Sequence, residues 1–239
     1  MTAHQTLENG RAALHGLRRA SCLAIAALAI GWALAAKAGS ILDQVPNAPD
    51  QSARFLIFLH GRIVEEQGRR PTSPTLGVYE YDGILEALAS RGAVVISEQR
   101  PEQTDVNRFA AHVVDQVRAL EQAGVPPEHI TVAGFSKGGS IAIRTSHLLK
   151  ESRVNFAFLA ACGNGDFTGL DLKVEGRILS LYEANDDIGR SCSGLFAKAG
   201  ASAGQRQEIE VHVGDKHGTF YRVHPEWLDP LLRWVEKAP

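Results

Sequence analysis

The chain has 239 residues, of which 44% are hydrophobic, 22% charged and 7% aromatic. These are the proportions of a globular domain and exclude a low-complexity or collagen-like polymer. Its 25 Lys+Arg stand against 27 Asp+Glu, a formal charge of −2, so no clustered excess of base draws it to nucleic acid.

Arg11, Arg18 and Arg19 precede an uncharged run over 20–36, which ends in Ala36-Lys37-Ala38 and Gly39-Ser40. A basic region, an apolar run and a small-x-small site form the pattern of a secretory signal peptide cleaved after Ala38, which directs the chain to a periplasm or to secretion. The alternative for residues 20–36 is an uncleaved anchor, the one route by which a membrane becomes a partner. Arg18-Arg19 is a twin-arginine pair, but Ala20-Ser21-Cys22 does not continue that motif, which favours the general secretory route. Without residues 1–38 the chain keeps 21 bases and 26 acids, a net charge of −5. The remaining 201 residues, 39–239, suit a single domain. Cys22 leaves with the signal, and the two cysteines that stay, Cys162 and Cys192, are expected to form one disulfide in an exported protein.

From about residue 54 onward, short apolar runs alternate with longer amphipathic ones. The patterns predict strands over 55–59, 93–97, 130–133, 156–160, 178–182 and 209–213. They predict helices over 79–91, 104–123, 137–150, 192–203 and 225–237. In the second helix Val106, Phe109, Ala110, Val113, Val114, Val117 and Leu120 recur at helical spacing and form a buried stripe. Strand and helix in alternation mean an α/β domain: a mainly parallel sheet of about six strands with helices on both faces. Cys162 follows the fourth strand and Cys192 the fifth, which parallel pairing brings to the same edge of the sheet. The segment 39–53 is too short and too rich in Pro, Asn and Asp for a hairpin, 62–70 is a charge run expected to be a solvated loop, and 163–175 leaves no room for a cap domain.

Between the third strand and the third helix stands Gly134-Phe135-Ser136-Lys137-Gly138, a Gly-x-Ser-x-Gly turn. The serine of such a turn takes a strained backbone conformation, so its flanking glycines must let strand and helix pass closely. The turn lifts the Ser136 hydroxyl above the sheet and aims the first helical N–H groups at any negative charge forming there. A phosphate loop needs a Gly-Lys-Ser/Thr triplet, which Gly138-Gly139-Ser140 lacks. A serine hydroxyl attacks only when a histidine takes its proton, and that histidine needs a carboxylate to fix its tautomer. Downstream, the fifth strand runs into Glu183-Ala184-Asn185-Asp186-Asp187-Ile188 and the sixth into Gly214-Asp215-Lys216-His217-Gly218. Both segments lie beyond the carboxyl ends of strands, where open parallel sheets carry their sites.

Through His60-Gly61-Arg62, the Gly134 to Gly138 turn and Lys216-His217-Gly218, the chain over about 54–234 resembles the α/β-hydrolase superfamily of serine esterases, lipases and related acyl hydrolases. The resemblance implies an α/β-hydrolase fold, from which the chain departs in having no cap domain over the short 163–175 connection. It implies Ser136 as nucleophile, His217 as general base and then acid, and Asp186 as the orienting carboxylate, with the adjacent Asp187 as the alternative acid. The backbone N–H groups of Lys137 and Arg62 would form the oxyanion hole. The implied activity is hydrolysis of a small-molecule ester or thioester through an acyl-enzyme, with no cofactor and no metal. A peptidase of the same fold and a non-catalytic binding protein built on it are the other readings. The remaining histidines have ordinary places: His112 and His147 on helices, His129 before a strand, His212 inside one, His60 packed beneath the oxyanion loop and His224 at the start of a helix. Acyl and alcohol specificity rests in the loops over 62–78, 98–108 and 163–175.

Overall fold

The computed structural model describes residues 39–237 apart from 152, 164–166, 168–169 and 199–203. The signal or anchor assigned to residues 1–38 lies outside the described residues, and among the described ones no helix is long and apolar enough to cross a membrane. A two-residue strand, β1 (Ile41–Leu42), precedes β2 (Phe55–Leu59), whose five side chains are all buried. Helix α1 (Arg62–Gln67) follows, then a small antiparallel hairpin of β3 (Thr72–Ser73) and β4 (Gly77–Val78). The alternation continues through α2 (Tyr81–Ala89), β5 (Val94–Ile96), α3 (Val106–Gln122), β6 (Ile130–Phe135) and α4 (Lys137–Leu149). It closes with β7 (Asn155–Leu159), β8 (Arg177–Glu183), α5 (Ser193–Lys198), β9 (Arg206–Val211) and α6 (Pro225–Glu236).

The strands lie in the order β1-β5-β2-β6-β7-β8-β9, and every neighbouring pair is parallel. The chain leaves β2 for β5 on one side, then crosses back to β6 on the other. Loops after β2 and β6 therefore diverge, and a crevice opens at the carboxyl ends of these two strands. Alternate side chains feed opposite faces. Leu56 and Phe58 pack with Leu85 of α2 and Trp227 and Leu231 of α6. Phe55, Ile57 and Leu59 pack with Val113 and Val117 of α3 and Ile141 of α4. Apolar residues at every position of β2 are the consequence of burial on both sides.

Three expectations are corrected. The charge run over 62–70 is no solvated loop: it contains α1, and Val64 and Glu65 of that helix are buried. Segment 39–53 makes no hairpin, as expected, but Ile41 and Leu42 pair in parallel with Val95 and Ile96 and add a seventh strand to the sheet; two residues are too few to show a period. Strand β9 starts at Arg206 and ends at Val211, which leaves His212 just beyond the strand instead of within it. As the outer strand of the sheet it carries exposed Gln207 and Glu210, the charged and polar decoration that keeps edges from pairing further and that blurs the apolar pattern.

Cys162 and Cys192 are joined by a disulfide with Cα atoms 5.2 Å apart. Closing a 30-residue separation contributes about 3–4 kcal/mol by loop entropy. Reduction is therefore expected to lower the melting temperature by on the order of 10 °C, read by calorimetry with and without reductant. An unchanged melting temperature, or two freely alkylated thiols in the untreated protein, would contradict this pairing.

Candidate active site

Ser136 sits between β6 and α4 at φ +54°, ψ −116°, a conformation that side-chain-bearing residues rarely adopt. The two glycines of the motif make it possible. A Cβ on Gly134 would lie 2.2 Å from the Gly138 carbonyl oxygen, and one on Gly138 would lie 2.0 Å from that of Leu59. Strand, turn and helix thus touch backbone to backbone. Ser136 is partly exposed, at the N-terminal end of the 13-residue α4, where unpaired N–H groups and the helix dipole favour negative charge.

His217 lies in the 3₁₀ turn Lys216–Tyr221 and is 5% exposed, while Asp186, just past the end of β8, is fully buried. The His217 Nδ1–H donates to Asp186 Oδ2 at 2.7 Å. The other carboxylate oxygen, Oδ1, accepts the Ile188 N–H at 2.8 Å. Burial acts to raise the Asp186 pKa, but the hydrogen bond from His217, the imidazole charge and the N–H groups of Ile188 and Gly189 outweigh it and hold the carboxyl below its ordinary value. With Nδ1 committed to Asp186, Nε2 is the ring nitrogen left to accept a proton. Ser136 and His217 line the same cleft, of about 630 Å³, together with Lys137 and Arg62. Asp187, the other acid weighed from the sequence, points elsewhere: it is 71% exposed and pairs with Lys216 at 3.3 Å and Arg190 at 3.6 Å.

The sequence did not reveal what holds the two loops in register. Asn185 accepts the Lys216 N–H at 3.1 Å and donates to the Gly214 carbonyl at 3.1 Å. Buried Glu183 accepts from the Val213 N–H at 2.8 Å and from the Thr219 hydroxyl at 3.1 Å. Both residues precede Asp186 in sequence; Asn185 grips the segment before His217, and Glu183 grips the segments on either side of it. On the far side, Arg190 N–H donates to the Cys162 carbonyl at 2.6 Å, beside the disulfide. Phe135 packs against the imidazole face with ring centroids 4.8 Å apart.

His60 packs beneath the loop after β2, fully buried. Its Nε2 accepts the Arg100 N–H at 3.0 Å and its Nδ1–H donates to the Gly61 carbonyl at 2.8 Å. Burial, and then the Arg100 charge, push its pKa from 6.5 down to about 3. The unfolded chain thus binds this proton first. The stability His60 contributes as a neutral ring is complete above pH 6.5 and is lost as pH falls from there toward about 3. We expect the melting-temperature gap between the natural protein and His60→Gln to narrow steadily below pH 6.5; a gap independent of pH would contradict a neutral buried imidazole. Among the described residues no group of three or more His, Cys, Asp or Glu side chains is arranged to hold a metal ion.

No protein-family model matches the chain, and no curated protein matches its sequence. The likeness to known proteins lies in the fold. The chain is similar to an esterase of Pyrococcus furiosus, with a TM-score of 0.56 and 13% identity over 79% of this chain and 82% of that one. Arabidopsis thaliana SOBER1 gives a TM-score of 0.51 and 14% identity, covering 78% of this chain and 99% of that one. A structure from work on two fungal esterases of Rhizomucor miehei gives 0.54 and 15%, over 81% of this chain and 77% of that one. The architecture is an α/β-hydrolase-like fold.

Proposed function

We propose that the protein is a serine hydrolase that cleaves an ester or thioester through an acyl-Ser136 intermediate. The observation that carries this reading is the buried Asp186–His217 hydrogen bond at 2.7 Å, opening onto the same cleft as a serine held in a strained turn. Esterases among the proteins of similar fold support it.

In the proposed reaction His217 Nε2 takes the Ser136 proton as Oγ attacks the substrate carbonyl carbon. The carbonyl π electrons move to oxygen, and that oxyanion is received by the backbone N–H groups of Lys137 and Arg62. Asp186 stabilises the imidazolium that has formed. Collapse of the tetrahedral intermediate breaks the bond to the alcohol or thiol, which leaves with the proton from His217. Water then repeats the sequence on the acyl-enzyme, with His217 again as base, and releases the acid and free Ser136. The disulfide and the signal-like N-terminal sequence support a site of action outside the cytoplasm.

Two measurements test the proposal together. A fluorophosphonate probe is expected to label the protein at Ser136, and a panel of nitrophenyl esters of increasing acyl length is expected to show turnover with a chain-length optimum. A protein that binds such esters without turnover and takes no label would instead be a binding protein on this fold. Turnover of peptide amides in preference to esters would make it a peptidase.

A further inference from the structure

Helix α1 carries the Arg62 N–H, one of the two oxyanion donors of the reaction proposed above, and by itself is a weak platform. It has six residues, and no side chain caps its N-terminus; isolated helices shorter than about 12–15 residues are marginal in water. Two of its side chains, Val64 and Glu65, are buried. Val64 joins the apolar core. Glu65, with a fully buried side chain, joins an ionic cluster instead. Its Oε1 accepts from Arg100 Nε at 2.8 Å, and its Oε2 accepts from Lys137 Nζ at 2.5 Å. Lys137 is the first residue of α4 and carries the second oxyanion donor. Arg100, also fully buried, donates in addition to the carbonyl of His60. The segment around Arg62 is therefore tied on both sides, at the His60 carbonyl before it and at Glu65 after it.

Burying three charged groups is a poor way to gain stability, because apolar side chains of the same volume often do as well or better. What the cluster supplies is geometry. We propose that Glu65 is a positioning residue that clamps the two sides of the oxyanion hole together, joining the helix that carries the Arg62 N–H to the helix that carries the Lys137 N–H. The inference rests on the acyl-transfer reading above.

The test uses the full chain with Glu65→Gln, Lys137→Met and the double variant; Lys137→Met leaves the backbone N–H in place and keeps Arg100 paired, so it carries the test alone if Glu65→Gln does not fold. Three quantities are read: kcat and KM on a nitrophenyl ester, affinity for a boronic acid that forms a tetrahedral anion on Ser136, and melting temperature. Misaiming one donor is expected to lower kcat by about 10–100-fold, less than the loss of a donor outright, with KM changed by less than about twofold. Boronate affinity should fall by a matching factor. The double variant should be no worse than the worse single one, because both break the same link. A lowered melting temperature with unchanged kcat and boronate affinity in the folded variants would make Glu65 merely structural and overturn the clamp, as would fully additive losses in the double variant. A natural protein that neither turns over esters nor takes the fluorophosphonate label would overturn the acyl-transfer reading and the clamp with it.

Discussion

Ser136→Ala and His217→Ala are each expected to lower kcat by several orders of magnitude, up to about 10⁶, while KM changes far less. The two losses should be nearly equal and should not multiply in the double variant. A serine without its base stays a protonated hydroxyl, and a base without its nucleophile has no proton to take, so removing either removes the same step. What survives should be a low rate from the oxyanion hole and binding alone, since the N–H groups of Lys137 and Arg62 belong to the backbone and remain. Neither substitution should unfold the protein. Ser136 is partly exposed and Ala keeps the same Cβ at its φ of +54°, so no strain is added, and at His217 the change removes a ring that packs on Phe135. Steady-state kinetics on a nitrophenyl ester, with fluorophosphonate labelling as the control for the nucleophile, decide the matter. Retention of more than about a tenth of the natural kcat by either variant would end this mechanism.

The parts of the site that sequence patterns reach are those encoded locally. Gly134, Ser136 and Gly138 fall within five residues because the turn itself needs them there, and their position between an apolar run and an amphipathic one locates the turn on the sheet. The interior strands are equally plain: β2, β6 and β7 are buried on both faces, so apart from Asn155 at the start of β7 every residue is apolar or small and the run stands out. The Glu65 cluster is hidden for the opposite reason. Glu65 and Arg100 are 35 residues apart, and Glu65 and Lys137 are 72 apart. Glu65 and Arg100 lie among other charged residues, where the charge alone describes a solvated surface, and Lys137 is one charge inside the glycine-rich turn. Only the crossover from β2 to β5 and back to β6 turns three surface-like charges into one buried group. Glu183 and Asn185 are overlooked similarly: they stand beside Asp186 in sequence, yet their role is fixed by β8 pairing with β9, which brings the histidine loop alongside.

Asp186→Asn is expected to lower kcat by on the order of 10³–10⁴, and Asp187→Asn by no more than a few-fold. The carboxylate accepts from His217 Nδ1–H and leaves Nε2 bare; an amide can turn its NH₂ toward Nδ1 instead, which drives the ring proton to Nε2 and leaves no base facing Ser136. The side chain is fully buried and held by Ile188 N–H at 2.8 Å, so the amide has no room to swing out and restore the useful tautomer. Asp187 has no such constraint, since it stands in solvent against Lys216 and Arg190, where an exposed ion pair contributes little. The pH dependence provides a second check with a definite sign. Because the native environment holds the Asp186 carboxyl below its ordinary value of 3.8, the stability it contributes is complete above that value and is lost as pH falls through the native pKa. The difference in unfolding free energy between the natural protein and Asp186→Asn should therefore shrink in the acid range. A larger kcat loss in Asp187→Asn than in Asp186→Asn would move the triad's acid by one residue and require the loop to shift so that the exposed carboxylate turns inward.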